Sequence, residues 1–578
     1  MTTTRGWHSH HLFLHSATED TDAFLVRSAA PLLDGLVASG EAARWFFIRY
    51  GDGGPHVRIR VRDLSAPAAA RLPGELRRMA EGVPAVPRSP GPWPSRHGEV
   101  RTVAYVPETH RYGGPRALPV AEEVFAASTQ VATQALRALR EGNGGGARLA
   151  LAADLAHATV YGLGMDRLTG ARWLRRHAAG WRWVTEVELL PGASVHTRVN
   201  SVYAAQRDGL ARRAQDLRDQ LDAGTAPPWA GQWATRVRES DELLRAGDGP
   251  LPAGARHAEG EADPETGEGL GDEVRAWVWA SQLHMLFNRL GVTPDEERAV
   301  CRLAARTLLE TGGRPQGFFP DGHTAPDLQY MERSKFQIGR NEDTALRPLA
   351  PVPQPAGPET ALPAYPLPEV TLGSVLARRR SVRGALRGPL DAGGLGALLW
   401  HSLSESGSSR QRLADGSHRT LAHRPHPSAG ARYTARVRLL VLDVAGLPAG
   451  TYDCVPERRT LRHIGPAPAV PDIKALSTYL SRPATDPDWI GIDEAPLVLA
   501  VYADLGLLRR RYGLRALRLA LLETGHLTQT LLLTATALGL GGTPLGGFHD
   551  DLAHELLGLD DLDQPLQYLL PLGRGATG

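Results

Sequence analysis

Apolar and basic positions alternate along residues 56–62, at the end of the stretch RWFFIRYGDGGPHVRIRVR. The apolar members of this stretch face one side of a predicted strand, and the basic members face the other. Residues 45–50 form a continuous aromatic and branched run that is typical of a buried strand. The Gly-rich turn with Pro55 between them predicts a hairpin with one apolar and one basic face.

The rest of the N-terminal half shows the periods of strands and helices. Strands are predicted at residues 7–15 and 100–106, and helices at residues 17–40, 117–221 (several) and 273–290. The Gly-, Pro- and acid-rich residues 247–272 have no apolar period and predict a mobile loop.

The C-terminal half follows a bridge that is Pro-rich from Pro351 onward and is expected to be extended. Strands are predicted at residues 436–444, at 497–503 and in a hairpin partner that starts near 448. Residues 515–538 are apolar almost all round, which predicts a central helix. Both halves therefore belong to the α+β class.

Composition narrows the setting of the protein without naming its chemistry. A chain of 578 residues is too long for one core, and a formal charge of +2 gives no reason to expect nucleic acid or an acidic membrane as a partner. The two cysteines, Cys301 and Cys454, lie far apart and predict reduced core residues of a cytoplasmic protein. No signal sequence or membrane-spanning run is evident, and the histidines of residues 7–15 lack the spacing of a metal site.

Candidate chemistry in the N-terminal half lies in three motifs. The basic row of the hairpin has a spacing of about 7 Å, which suits a ligand with more than one carboxylate, or it is a solvated sheet face. The loop at residues 105–114 contains Glu108 and Arg111, which either bind a ligand or close the loop as a salt bridge. His284 and Asn288 share one face of the last predicted helix, where a histidine is often only packed.

Taken in order, WFFIRY–HVRIRVR, YVPETHRYGG and SQLHMLFNRLG resemble the glutamate-elimination domain of class I lanthipeptide and thiopeptide dehydratases over residues 5–310. The resemblance implies removal of a glutamate ester from a peptide Ser or Thr to leave dehydroalanine or dehydrobutyrine. The catalytic residues of that family fall on Arg58, Arg60, Arg111 and His284.

The chemistry fits these residue types, because β-elimination needs a base and charge stabilisation for the leaving carboxylate. His284 is the natural proton-transfer group, and arginines bind carboxylates through two parallel hydrogen bonds. The domain that uses glutamyl-tRNA is absent, so a separate protein is expected to glutamylate the peptide. Two alternatives stay open: a pyridine-forming cycloaddition enzyme, or a scaffold that only binds peptide.

In the C-terminal half, Arg379, Ser381 and Arg383 could supply the donors that a flavin phosphate needs. Glu523 and His526 on the central helix are expected to be buried polar groups satisfied within the core. Taken alone, Gly546-Gly547 is a simple turn.

Together, RRRSVR, RPHPSAGARY, RYGLRALRLALLETGH and LGLGGTPLGGF resemble the flavin-dependent dehydrogenases of azole-forming peptide pathways, on the nitroreductase fold. The resemblance runs from about residue 330 and implies FMN-dependent oxidation of thiazoline or oxazoline to thiazole or oxazole. Its cofactor contacts fall on Arg379, Ser381, Arg383, Ser428, Gly546, Gly547 and Arg574.

One position departs from that family, which commonly has Lys-Tyr where this chain has Arg511-Tyr512. An arginine does not release its proton in a protein, so Arg511 is not a base. We expect its charge to favour the ionised form of Tyr512, which then deprotonates the azoline carbon. Alternatively, the domain binds FMN without turnover.

The two modules in one chain resemble the bifunctional proteins of lactazole-type thiopeptide pathways. The expected organisation is an eliminase domain at 5–310, a linker at 311–368 and a dehydrogenase domain at 369–578. The expected partners are a precursor peptide, a separate tRNA-dependent glutamylation protein, a cyclodehydratase and a second copy of the chain in a homodimer. Neither direct nucleic-acid binding nor membrane binding is expected.

Overall fold

A computed structural model describes residues 6–87, 93–142, 148–181, 184, 187–246, 270–309, 326–335, 355–412 and 415–575. The chain divides into two compact units. Unit 1 contains residues 1–190 and 197–312, and unit 2 contains residues 191–196 and 313–578. The loop predicted at 247–272 lies almost entirely outside the described residues, as does much of the predicted linker.

Unit 1 contains an antiparallel four-stranded sheet in the order β2-β3-β1-β4. The strands are β1 (Trp7–Phe13), β2 (Arg44–Tyr50), β3 (His56–Arg62) and β4 (Val100–Thr102). The predicted hairpin is therefore confirmed, while the strand predicted at 100–106 ends after three residues.

Helices build the rest of unit 1. They are α1 (Thr18–Phe24), α2 (Ala30–Ala38), α3 (Ala66–Ala80), α4 (Leu118–Arg140), α5 (Arg148–Gly162), α6 (Arg167–Gly180), α7 (Gly192–Ala223), α8 (Pro228–Ala246), α9 (Asp272–Leu290) and α10 (Pro294–Leu309), of which α7 belongs to unit 1 from residue 197 onward. The helix predicted at 17–40 is confirmed, with a π-helical turn at Leu25–Ala29 between α1 and α2.

The two faces of β3 enter different environments. Val57, Ile59 and Val61 are at most 1% exposed and pack in a core with the residues of α1–α3. On the other face, Phe46 of β2 enters the larger core formed by α4, α5, α8, α9 and α10. The basic row therefore lies on the side of the sheet that these helices cover, not on a solvated face.

Helix α9 has clear boundaries that place its polar residues. It begins with Asp272 and Glu273, whose charges suit the positive end of the helix dipole. It ends at Gly291, whose φ of 75° lies in the left-handed region where a side chain is disfavoured. Between the ends, Asn288 accepts from Arg49 N at 2.8 Å and donates to Arg49 O at 2.9 Å, which attaches α9 to β2.

Unit 2 is organised around a nine-stranded sheet in the order β12-β6-β15-β13-β9-β10-β11-β5, with β14 paired to β15. A separate hairpin joins β7 and β8. The strands are β5 (Glu359–Ala361), β6 (Gly384–Arg387), β7 (Gly407–Arg412), β8 (His418–His423), β9 (Ala435–Val441), β10 (Gly450–Val455), β11 (Thr460–Gly465), β12 (Ile490–Glu494), β13 (Leu497–Ala503), β14 (Gly541–Gly542) and β15 (Leu566–Gly575).

The helices of unit 2 lie on both sides of this sheet, because its two faces contribute to different apolar clusters. They are α11 (Pro326–Arg333), α12 (Leu372–Arg378), α13 (Ala392–Leu403), α14 (Val470–Lys474), α15 (Thr478–Ser481), α16 (Leu505–Tyr512), α17 (Ala516–Ala537) and α18 (Asp550–Leu557). The long central helix predicted at 515–538 is α17.

Part of the predicted linker has regular structure. Residues 359–361 form β5, which pairs with β11, and Glu359 accepts hydrogen bonds from Arg458, Thr460 and Arg462. A Cβ added to Gly396 of α13 would lie 1.8 Å from Pro363 O, so the chain there packs directly on α13. In the described residues, this end of the bridge is part of unit 2 rather than a free extended segment.

Two further expectations concern the cysteines and the membrane. Cys301 and Cys454 are both free and buried, and burial raises the pKa of each thiol. Within the described ranges, no helix has the length and apolar character required to cross a bilayer.

Candidate functional site

Arg60 lies half-buried in the middle of β3, opposite Phe46 of β2 and Ser9 of β1. Its guanidinium carbon is 4.5 Å from the ring centroid of Tyr105 and 5.4 Å from that of Phe46. Burial lowers the pKa of Arg60, and its Nε has no hydrogen-bond partner among the described residues. A buried donor without a partner is costly, so this guanidinium is suited to an incoming carboxylate.

Arg58 is ordered by rings rather than by an acid. Its guanidinium carbon is 3.5 Å from the ring centroid of Tyr50, and its Nε donates to His56 Nε2 at 3.0 Å. His11 stacks on His56 with centroids 5.1 Å apart. Burial and the charge of Arg58 lower the pKa of His11 to about 4, so that histidine is neutral at pH 7.

The loop after β4 brings Arg111 to α9. Arg111 lies in a 3-10 turn (Thr109–Tyr112), and its Nη1 donates to Glu108 Oε2 at 3.1 Å. The salt bridge considered for this loop is therefore present. The same guanidinium also donates from Nε to Ser281 Oγ at 3.3 Å, which connects the loop to the helix of His284.

His284 lies on α9, one turn after Ser281 and one turn before Asn288. Its Nδ1 is 2.8 Å from Glu297 Oε2, and its ring meets the edge of Trp181 with centroids 4.9 Å apart. The side chain keeps 18% of its surface exposed, so it is neither a fully packed nor a surface histidine.

Glu297, on α10, is a residue that the sequence analysis missed. Its Oε1 accepts from Trp181 Nε1 at 3.1 Å and lies 2.5 Å from His177 Nε2. Burial alone would raise its pKa, but His284 and His177 hold the pKa of this carboxyl well below its usual range. In the sequence, Glu297 reads as one of three acids in a helical first turn, which is normally an exposed dipole partner.

Arg289 is the second residue that sequence reasoning missed. It is fully buried on α9, and its Nε donates to Thr129 Oγ1 at 3.1 Å. Its Nη1 and Nη2 have no partner among the described residues. Burial and the charge of Arg60 lower its pKa to about 9, so it stays charged at neutral pH.

Arg289 adds positive potential close to Arg60, because its guanidinium carbon lies 5.8 Å from the same Phe46 ring. Burial raises the pKa of Tyr112 to about 12, while the charges of Arg111, Arg289 and Arg60 all act on this phenol in the opposite direction, so the three guanidinium groups lie in its neighbourhood. Arg58 lies one position farther along the row, beside Tyr50. The arrangement can hold carboxylates next to the helix that presents His284.

In unit 2, the RRRSVR segment runs beside β14. Ser381 forms a parallel bridge with Gly542, and Thr543 Oγ1 donates to Val382 O at 2.6 Å. Arg383 donates from Nη1 to Thr543 Oγ1 and from Nε to Asp488, each at 3.4 Å. Arg379 is half-buried at the end of α12, two residues before Ser381.

The other side of β14 carries Arg574, which is exposed on β15 next to Gly573, the register partner of Gly541. Three arginines and a hydroxyl therefore flank one two-residue strand, a donor set that fits the phosphate of FMN. Gly546 and Gly547 follow in an exposed loop, held by the donation of Ser477 Oγ to Gly547 O at 2.5 Å.

A second cluster surrounds the N-terminal part of α17. Glu523 is buried and accepts from Ser428 Oγ at 2.7 Å, from Thr434 Oγ1 and from Ala435 N. Ser428 Oγ in turn accepts from Tyr433 N at 2.7 Å, so both functions of this hydroxyl are engaged within the chain. The expectation for Glu523 is confirmed, whereas His526 is exposed and its predicted burial is wrong.

Tyr512 lies at this second cluster. A Cβ added to Gly430 would lie 2.6 Å from Tyr512 Oη, and Gly430 has a φ of 59°. Arg511 is exposed, with its guanidinium carbon 5.8 Å from the Tyr512 ring centroid.

The two clusters of unit 2 are separated along α17. Glu523 lies fourteen residues before Ala537, the end of the helix that leads to β14. At 1.5 Å per residue this is about 21 Å. Ser428, which donates to Glu523, therefore contacts a different part of α17 from the end that leads to β14.

Comparison with known proteins relates each half of the chain to a protein family. Residues 7–308 match the family model "Lantibiotic biosynthesis dehydratase C-term", and residues 376–574 match the nitroreductase family. Putative nitroreductase MJ1384 of Methanocaldococcus jannaschii is 32% identical over 36% of this chain and 92% of its own length. The Microcin B17-processing protein McbC of Escherichia coli is 30% identical over 24% of this chain and 49% of its own length, so the chain spans about half of McbC.

Among solved structures, the pyridine synthase TbtD from thiomuracin biosynthesis aligns with a TM-score of 0.40 at 21% identity, over 52% of this chain and 97% of that one. The two resemblances found in the sequence are confirmed at the level of the families. The chain belongs to the lantibiotic biosynthesis dehydratase C-terminal family through its N-terminal half and to the nitroreductase family through its C-terminal half.

Proposed function

We propose that this chain is a bifunctional tailoring enzyme of ribosomally made peptides of the thiopeptide type. Unit 1 eliminates glutamate from glutamylated Ser or Thr, leaving dehydroalanine or dehydrobutyrine. Unit 2 oxidises thiazoline or oxazoline to the azole with FMN. The observation that carries the first activity is the gathering of Arg60, Arg289 and Arg111 beside the helix that presents His284.

Elimination divides the work between these residues. Arg58, Arg60 and Arg111 bind and orient the free carboxylate and the ester carbonyl of the glutamyl group, since guanidinium groups stay charged and offer paired donors. His284 accepts the Cα proton, and the electron pair of that C–H bond forms the Cα=Cβ bond. The Cβ–O bond breaks and glutamate leaves as a carboxylate next to the arginines. Arg289 keeps this region positive at neutral pH.

For unit 2, Arg379, Ser381, Arg383 and Arg574 would hold the phosphate of FMN, and Gly546 and Gly547 would contribute to holding its ring. Bound FMN supplies the acceptor for the hydride removed from the azoline ring. Tyr512 removes the proton from the azoline carbon, with Arg511 beside its ring. Gly430 leaves room for the Tyr512 oxygen.

We also propose that the flavin site is completed in a homodimer. About 21 Å along α17 separates Glu523, to which Ser428 donates, from the helix end that leads to β14 and its arginines. A two-fold pair of chains can place the β14 cluster of one copy beside the Tyr512 cluster of the other.

The remaining partners follow from the chemistry of the substrates. A precursor peptide must carry glutamyl esters and azolines before it reaches this protein. We therefore propose a separate tRNA-dependent glutamylation protein and a cyclodehydratase as suppliers.

Mass spectrometry of two peptides tests both activities in the full-length, FMN-loaded protein. One peptide carries a glutamyl-Ser ester and the other an azoline. Loss of glutamate from the first and of two hydrogens from the second is expected. If only the azoline peptide changes, unit 1 is a cyclase or a scaffold, and a bis-dehydroalanine peptide separates these. If only the glutamyl peptide changes although the cyclodehydratase is supplied, unit 2 binds FMN without turnover.

A further inference from the structure

Three elements of unit 1 meet at one buried carboxylate. Glu297 of α10 has 1% of its side chain exposed, and both of its oxygens face nitrogen atoms. Oε2 lies 2.8 Å from His284 Nδ1 of α9, and Oε1 lies 2.5 Å from His177 Nε2 of α6. The indole of Trp181 also donates to Oε1, at 3.1 Å, while the edge of its ring contacts His284.

We propose that Glu297 is a positioning residue that holds a proton on Nδ1 of His284 and thereby presents Nε2 as the base. The inference rests on the proposed elimination function. An ionised carboxylate only accepts hydrogen bonds, so the imidazole nitrogen that faces it must carry hydrogen. In neutral imidazole the other nitrogen, Nε2, is then unprotonated.

The charge of Glu297 has a second consequence during the reaction. When Nε2 takes the peptide Cα proton, the imidazole becomes a cation next to the carboxylate. An opposite charge at hydrogen-bond distance stabilises that cation. The protonation equilibrium of His284 and the rate of proton removal should therefore both depend on Glu297.

His177 completes the arrangement from the opposite side. It stacks on Trp173 with centroids 6.3 Å apart, which orients its ring toward Glu297. With His177 and Trp181 bound to Oε1, the carboxylate cannot rotate away from His284. Glu297 is therefore fixed before substrate binds, as a group that orients a base must be.

The other titratable groups named around His284 do not take the role that is proposed for Glu297. Cys301 faces Glu297 from the same helix, and burial raises the pKa of its thiol well above the usual value, so it stays neutral. Arg111 reaches α9 one turn before His284 and is paired with Glu108. His177 shares the carboxylate, so its effect has to be measured separately.

The test compares Glu297→Gln with Glu297→Asp in the full-length, FMN-loaded protein. Glu297→Gln should lower kcat for glutamate elimination by about 100-fold or more and leave KM nearly unchanged, because the Glu297 side chain is 1% exposed and so is not available to the peptide. The acid limb of its pH–rate profile should move to lower pH, since loss of the anion disfavours protonation of the imidazole. Glu297→Asp, which keeps the charge, should restore part of the rate. An unchanged Tm of unit 1 reports that the variant is folded, and azoline oxidation by the same preparation reports that unit 2 is intact.

A second measurement does not depend on elimination. Diethyl pyrocarbonate modifies unprotonated imidazole, and peptide mapping by mass spectrometry gives the rate at His284 as a function of pH. The midpoint should move to lower pH by about 1 unit in Glu297→Gln and stay near the wild-type value in Glu297→Asp. An unchanged midpoint, or a wild-type kcat and pH profile in Glu297→Gln, overturns the proposal. If the midpoint moves while the wild-type protein eliminates no glutamate, the coupling stands and the proposed elimination falls.

Discussion

The Nε of Arg111 donates to Ser281 Oγ across 3.3 Å, and this hydrogen bond ties the Arg111 side chain to the helix that carries His284. The two residues are 170 positions apart in the chain. Without this contact, Arg111 would be held by Glu108, which is itself 64% exposed and weakly restrained. The position of a candidate substrate-binding cation thus depends on a hydroxyl of another element.

Removing that hydroxyl should affect elimination more than stability. In Ser281→Ala, we expect kcat/KM for the glutamyl peptide to fall about 10-fold, as Arg111 loses its anchor on α9, with little change in Tm. Arg111→Lys should lower this kcat/KM further, because lysine keeps the charge but not the paired donors of the guanidinium group. Arg236→Lys on α8, an exposed arginine, is the matched control. Full activity in both Ser281→Ala and Arg111→Lys would remove Arg111 from the site.

Arg289 should favour activity at a cost in stability. In Arg289→Met the free energy of unfolding should stay the same or rise, because a buried cation without a carboxylate partner is replaced by an apolar chain. The KM for the glutamyl peptide should rise, because the positive potential near Arg60 is lost. Thermal melts and elimination kinetics of one preparation measure both. A large fall in Tm together with an unchanged KM would make Arg289 purely structural.

The Tyr512 oxygen should be sensitive to Gly430. In Gly430→Ala, a methyl group would come within 2.6 Å of Tyr512 Oη, so the phenol must move and azoline oxidation should drop at least about 10-fold. Gly416→Ala is the control, since Gly416 also has positive φ, 82°, but no atom within 4 Å of the added Cβ. Glutamate elimination should be normal in both. Tyr512→Phe retaining full azole formation would disprove the assigned base.

A shared flavin site can be tested by complementation. Arg383→Ala should weaken FMN binding, Tyr512→Phe should abolish oxidation, and neither alone should form azoles at a normal rate. When the two variants are co-expressed in one cell, random pairing makes half of the dimers mixed. Each mixed dimer then has one intact site. About a quarter of the wild-type activity should return if the site spans two chains. No recovery in isolated mixed dimers would place the whole site within one chain.

Buried histidine should make unit 1 sensitive to acid. His10 is 2% exposed, and burial followed by the charge of His8 lowers its pKa to about 4. Since the unfolded chain binds the proton more readily, with a pKa of about 6.5, stability is complete above pH 6.5 and falls as the pH drops toward 4. His10→Asn should remove about 1–2 kcal/mol of this loss at pH 5. His418→Asn on exposed β8 should leave the pH dependence unchanged, as urea unfolding at pH 7 and pH 5 would report.

Local pattern was sufficient to predict the elements that carry the candidate residues. The alternation of apolar and basic positions at residues 56–62 predicts a strand with one basic face. Residues 515–538 are apolar almost all round, which predicts a central helix. The boundaries of α9 and α17 agree with the prediction to within two residues, because charges, Gly291 and the period all act locally. The pairing of β5 with β11, in contrast, could not be predicted, since a Pro-rich stretch has no hydrophobic period of its own.

What the sequence by itself determined is which side chains are available: the arginine row, the loop pair at Glu108 and Arg111, His284 and the arginines around Ser381. Only the tertiary structure decided their partners. Glu297 and Arg289 look like an ordinary acid and an ordinary arginine in helical sequence, and become distinctive only because packing takes them out of water. Burial changes the cost of a charge by far more than any local propensity does, and burial depends on elements that are distant in the chain.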